Sequence, residues 1–221
     1  MVKEDKWECC YTQNWRNKLH PDAIDHPAKI SYQLIHKIYN HLNLPIHSKI
    51  LDPFAGVSCT ALHAMQHGYH WTGIEIEPKF VQLSQKNIDF WNQKYQTLPN
   101  WGNATIIHGD STTIQIDEQF DAMITSPPYE GMMKKENSDE WIQHEMNVGR
   151  AQRSKNPNHW LVPNRKKFVA GSYAGYGTES NNIGNMKGND FWEMMQRVID
   201  NIYNHLNPNG YAVWVTKDLF R

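Results

Sequence analysis

The chain has 221 residues, 39% of them hydrophobic and 20% charged, with a net charge of −1. That length holds one domain with a full core, and the near-zero charge excludes a wholly basic nucleic-acid binder, so any such surface is local. Three cysteines, two of them adjacent (Cys9 and Cys10), make no disulfide framework, and no apolar run approaches membrane-spanning length; the chain reads as soluble and cytoplasmic, with no membrane partner.

Residues 1–48 are polar, but Ile30, Leu34, Ile35 and Ile38 recur at helical spacing and predict a helix over about 29–41. The segment SKILDPFAG (48–56) reads as a buried strand running into a tight loop. A short helix from Ser58 to His67 follows, stopped by Gly68. The second strand is HWTGIEIEP (70–78), and Pro78 opens a long helix to about Gln96, with Phe90 and Trp91 packing on the sheet. ATIIHGD (104–110) and FDAMITS (120–126) are the third and fourth strands. A helix from about Phe191 to Leu206 leads through an NPNG turn (207–210) to a fifth strand over 211–218, where Trp214 reads as a core residue.

Strands alternating with helices predict an α/β fold with a mainly parallel sheet covered on both faces. Ligands of such sheets bind at the carboxyl ends of the strands. DPFAG, GIEIE, HGD and SPPY all fall there. Residues 130–188 break the alternation and end in a Gly- and Asn-rich tract, so this long insertion is expected to be functional or disordered.

Four features on that rim carry chemistry. Gly56 in DPFAGVSCT (52–60) lets the backbone approach a ligand, and a helix N-terminus follows; neither GxGxxG nor GxxxxGK[ST] is present. Glu75, roughly 20 residues on, stands where an acidic group binds ribose hydroxyls. Asp110 ends the third strand and can accept from an adenine amino group. Taken singly, each is also an ordinary loop feature. The fourth is MITSPPYEG (123–131): two prolines cannot continue a ladder, and Ser126 is pushed extended by the proline after it. A stiff corner thus presents a hydroxyl, a carbonyl and an aromatic ring.

In this order the motifs resemble the S-adenosylmethionine-dependent DNA amino-methyltransferases that act on exocyclic nitrogens. DPFAG resembles their motif I, GIEIEP motif II, GD motif III and SPPY the catalytic motif IV, while HPAKIS (26–31) resembles motif X. The tract 176–192 and VWVTKD (213–218) are similar to segments of phage and bacterial modification methylases of the cytosine-N4 type. The resemblance covers most of the chain from His26 onward. It implies a Rossmann-like methyltransferase fold with the last two strands missing, and hence a fragment or an edge covered by a partner subunit or by self-association. The expected parts are an N-terminal segment with the motif X-like helix (1–48), a core (49–129 and 189–221) and an insertion (130–188).

The resemblance implies cofactor-binding roles for His26, Pro27, Ala28, Asp52, Pro53, Phe54, Ala55, Gly56, Glu75, Ile76, Asp110 and Ser111. It implies catalysis by Ser126, Pro127, Pro128 and Tyr129. The Ser126 hydroxyl and Pro127 carbonyl would hold the amino group, and Tyr129 would stack on the base. No covalent enzyme intermediate and no catalytic cysteine are implied. The second glycine of the family's FxGxG is Ser58 here. Serine at the head of motif IV is more typical of cytosine-N4 enzymes, so the expected reaction is methyl transfer to cytosine N4 of a flipped base in a prokaryotic or phage-infected cell, within a restriction-modification setting. Adenine N6 on DNA, an RNA amino-methyltransferase and a catalytically silent nucleic-acid-binding module remain the alternatives.

From Asn147 to Ala170 the insertion carries six basic residues and no acidic ones. Arg150, Arg153, Lys155, Arg165, Lys166 and Lys167, interleaved with Trp160, are the expected DNA contacts. His63 and His67 are four apart but lack a third ligand, so they read as surface residues of a helix and no metal is expected.

Overall fold

The computed structural model describes residues 6–24, 26, 29–130 and 179–216. After a 3-10 turn at Pro21–Ala23 the elements are α1 (Tyr32–Leu42), β1 (Lys49–Asp52), α2 (Cys59–Gln66), β2 (His70–Glu75), α3 (Pro78–Tyr95), β3 (Asn103–His108) and β4 (Phe120–Thr125). A second 3-10 turn at Ile183–Asn185 precedes α4 (Asn189–Tyr203) and β5 (Leu206–Trp214). Every strand pairing is parallel, and the strand order is β3-β2-β1-β4-β5. Chain order reverses between β1 and β4, which is the switch point of a doubly wound, Rossmann-like sheet and opens a crevice at their carboxyl ends.

Strand alternation sends side chains to two cores. Ile50, Ala122 and Ile124 face α1, α2 and α3, together with Trp71 and Trp91. Leu51, Ile74 and Met123 face Phe191, Met195, Val198 and Ile202 of α4, which recur at helical spacing. Each of the Leu, Ile, Val, Phe and Met side chains among them, fully buried, stabilises the fold by about 1.5–3 kcal/mol. Gly73 is needed because the Trp71 ring lies over it; a Cβ there would stand 2.1 Å from Trp71 Cη2. Among the described residues, no helix is long and apolar enough to cross a membrane.

The structure corrects several boundaries. Residues 29–31 are not helical: the Ile30 carbonyl accepts from Trp15 Nε1 at 2.6 Å, so Ile30 serves the packing of the N-terminal segment rather than a helix face. α4 ends at Tyr203, not near Leu206. NPNG lies within β5: Leu206 pairs with Phe120 and Tyr211 with Ala122, so 207–210 stand opposite Asp121 alone. Asn209 takes φ 66° in this bulge, and Asn207 Nδ2 donates to Asp121 Oδ1 at 2.8 Å. His63 is not on the surface. It is fully buried where α1 covers α2, 4.6 Å from the Tyr32 ring and 5.2 Å from His36, while half-buried His67 stacks on Tyr39 and Tyr69.

Candidate active site

The buried run of β1 ends in Asp52, which is 2% exposed. Its Oδ1 accepts from Phe54 N at 3.1 Å and from Thr125 Oγ1 at 2.6 Å; its Oδ2 accepts from Thr60 Oγ1 at 2.5 Å. Thr60 in turn accepts from Trp71 Nε1 at 3.0 Å. Burial pushes the Asp52 carboxyl above its usual range, against the pull of these three bonds. The DPFAG loop then turns at Gly56, φ +55°, where a Cβ would lie 3.5 Å from His26 Cε1. Ser58 follows at φ +61°, fully buried, in the left-handed region that glycine occupies more readily.

Glu75 closes β2. Its Oε2 accepts from Gly56 N at 2.8 Å and its Oε1 from Glu77 N at 2.9 Å. Burial pushes its carboxyl up to about 7, opposed by these two N–H donors and assisted by the charges of Glu77 and Asp52. Asp110 follows β3. Its Oδ1 accepts from Thr112 N at 2.9 Å and Thr112 Oγ1 at 2.7 Å, which fixes the carboxylate plane. Ser111 Oγ donates to the Pro53 carbonyl at 2.6 Å and so ties this turn to the DPFAG loop.

At the end of β4, Ser126 Oγ donates to the Val215 carbonyl at 3.3 Å, while Val215 N donates to the Thr125 carbonyl at 2.8 Å. Two consecutive contacts therefore pin the corner to the end of β5. Burial raises the Tyr129 phenol above its usual range, with its side-chain hydrogen bond with Ser126 opposing and Tyr11 adding to the rise. Tyr129 stays neutral across ordinary pH, which suits a stacking surface. Cys59 lies nearby, but burial pushes its thiol up to about 12, so it holds no thiolate at neutral pH.

One cavity of about 630 Å³ gathers these pieces. His26, Asp52, Pro53, Phe54, Ala55, Gly56, Glu75, Ile76, Asp110 and Ser111 line it, and so do Ser126, Pro127, Pro128 and Tyr129. Pro27 and Ala28 lie outside the described residues, as do Arg150, Arg153, Lys155, Trp160, Arg165, Lys166 and Lys167. The volume suits a nucleoside-sized ligand. The Gly56 clearance and the buried Glu75 acceptor fit a cofactor carrying ribose hydroxyls.

Sequence reasoning missed part of the lining. Phe80 stands edge-on to His26, with ring centroids 4.4 Å apart. Lys29 Nζ donates to the Ile24 carbonyl at 2.8 Å and to the His26 carbonyl. Asn181, Asn182, Ile183 and Gly184 form a further wall. The signal for that wall was present as a single isoleucine inside an Asn- and Gly-rich run, the mark of a docked turn.

A family described as DNA methylase matches residues 2–86. A tRNA (guanine(10)-N2)-dimethyltransferase of Methanothermobacter thermautotrophicus is 26% identical over 110 residues, 50% of this chain and 30% of that protein. The type II methyltransferase M.BglI of Bacillus subtilis is 37% identical over 65 residues, 29% of this chain and 18% of that one. The chain thus covers less than a third of either relative's length. Among solved structures, TrmN from Thermus thermophilus aligns over 49% of this chain and 31% of its own, at 16% identity and a TM-score of 0.40. This chain is thus similar to a DNA methylase family over residues 2–86 and to M.BglI over 65 residues.

Proposed function

We propose that this protein moves a methyl group from S-adenosylmethionine to the exocyclic N4 of a cytosine in DNA, by direct transfer to a base flipped out of the duplex. The observation that carries the reading is the single cavity that puts the DPFAG loop, Glu75 and Asp110 beside the Ser126–Tyr129 corner. Asp52, Phe54 and Gly56 would hold the methionine side of the cofactor with His26 above them, Glu75 the ribose and Asp110 the adenine.

When bound, S-adenosylmethionine would supply an activated methyl group, the N–C bond forming as the S–C bond breaks and the proton shed by the methylated nitrogen passing to solvent water. The protein's task is to make a poor nucleophile usable. An exocyclic amine delocalises its lone pair into the ring. The Ser126 hydroxyl donates its own proton to Val215, which leaves its oxygen able to accept an amine N–H. With the Pro127 carbonyl as a second acceptor, both amine protons are held and the lone pair turns toward the methyl. Tyr129 holds the base by stacking, worth about 1–3 kcal/mol, and repays part of the cost of flipping. The proline corner keeps this geometry stiff, since a misplacement of about 1 Å costs on the order of 100-fold in rate.

Adenine N6 presents the same amine chemistry; serine at the head of the motif favours cytosine. An RNA amine is the second reading, favoured by the similarity to a protein named for a guanine N2 in tRNA. The basic residues between Arg150 and Lys167 would follow the phosphate backbone. A partner subunit or a second copy would cover β5, an edge strand among the described residues that leaves Tyr211 half exposed. Transfer of tritium from labelled S-adenosylmethionine to duplex DNA tests the reading. Incorporation that a Ser126→Ala, Tyr129→Ala variant loses is the expected result; incorporation unchanged in that variant removes the corner from the mechanism.

A further inference from the structure

We infer that Asn181–Gly184 form a second recognition wall of the cofactor pocket, held in place by Glu77, and that Asn181 beside Asp110 selects a 6-aminopurine. The inference rests on the S-adenosylmethionine reading and adds the residues that discriminate the adenine.

The wall is anchored from behind. Glu77 is 1% exposed, lies just after β2 and does not itself line the cavity. Its Oε1 accepts from Asn182 Nδ2 at 2.8 Å and from Glu179 N at 3.2 Å, so one buried oxygen holds both a side chain and the backbone of the wall. Asn182 spends its other amide atom on the turn itself, where Oδ1 accepts from Gly184 N at 3.0 Å. Ile183 is buried in the α4-side core and plugs the turn down. A segment held by a charge-assisted pair of bonds and an apolar plug has one position, as a recognition surface requires.

The wall meets Asp110. Asn181 Nδ2 lies 3.4 Å from Asp110 Oδ2, and the opposite carboxylate oxygen is committed to Thr112. An ionised carboxylate only accepts hydrogen bonds, whereas a carboxamide both donates and accepts. Side by side they read a donor next to an acceptor. A 6-aminopurine offers that pattern, with its amino group beside a ring nitrogen. A 6-oxopurine turns an oxygen toward the carboxylate and leaves it unpaired. Sites built to hydrogen-bond one group reject the analogue lacking it by large factors, because their own polar atoms go unsatisfied.

The test is calorimetric titration of the whole chain, without DNA, using S-adenosylhomocysteine and S-inosylhomocysteine. The wild type should bind the adenosyl compound at least about 100-fold more tightly than the inosyl one. Asn181→Ala should weaken only the adenosyl arm, by about 10-fold, and leave the thermal midpoint of the free protein unchanged because Asn181 is exposed. Glu77→Ala should weaken it comparably, and Glu77→Gln, which keeps an acceptor oxygen for Asn182, should restore most of the affinity. Wild-type binding with unchanged affinity and discrimination in Asn181→Ala and Glu77→Ala overturns the wall while sparing the cofactor reading. A wild type that binds neither compound overturns both.

Discussion

Thr125 Oγ1 donates to Asp52 Oδ1 across 2.6 Å, joining the last residue of β4 to the last residue of β1 at the point where the sheet reverses its order. The glycine loop begins one residue after the first and the Ser126–Tyr129 corner one residue after the second. Thr125→Val removes that bond without changing the side chain's shape. A hydrogen bond to a charged group contributes about 1.5–3 kcal/mol, so urea denaturation should show a loss of that order. Thr125→Ser, which keeps the hydroxyl, should recover most of it.

Glu75 gives a pH dependence of known sign. Its carboxyl titrates near 7 in the fold against an ordinary 4.5, because of burial. Between those values the folded state binds the extra proton, so this group's contribution to stability falls as pH rises from about 4.5 to 7, by about 3 kcal/mol in all. In the proposed site, ribose hydroxyls would donate to the ionised form. Cofactor affinity should therefore rise between pH 6 and 8 in the wild type, and the part due to Glu75 should vanish in Glu75→Gln. Calorimetry at four pH values on both proteins checks it.

His63 acts in the opposite direction. Burial against α1, with the neighbouring charge of His36 adding to it, lowers its pKa from 6.5 to about 3. The unfolded chain binds that proton first, so stability falls as pH drops from about 6.5 toward 3, at about 1.4 kcal/mol per pH unit. His63→Leu should remove this slope. Its denaturation midpoint should depend less on acid than the wild type's between pH 6 and 4.

Ser58 holds a left-handed conformation with its hydroxyl buried and without a hydrogen-bond partner. An L-residue there costs about 1–2 kcal/mol, while glycine gives back part of that through the unfolded chain. Ser58→Gly should stabilise the protein by about 0.5–1 kcal/mol, measured as a raised denaturation midpoint. Equal or lower stability would show that the loop is not strained at this position.

The strand–helix alternation was legible because each buried strand is a short apolar run bounded by turn residues, and the four rim motifs follow from it. What local pattern does not carry was misread. Ile30 fits a helical face but serves Trp15, a contact made 15 residues away. NPNG reads as a turn, yet Asp121 and the flanking pairings keep it inside a strand. His63 looks polar and exposed, but every residue from Cys59 to Met65 is buried, so α2 has no outer face there. The Asn181–Gly184 wall depends on Glu77, more than a hundred residues earlier in the chain, and no local spacing signals such a partner.

Nucleoside mass spectrometry of duplex DNA treated with the purified chain and S-adenosylmethionine decides the reaction and the base together. The expected product is N4-methylcytosine, formed by the wild type and absent with the Ser126→Ala, Tyr129→Ala variant. N6-methyladenine would keep the site and overturn the base, and no methylated nucleoside at all, with the cofactor bound, would contradict the assignment of DNA as substrate.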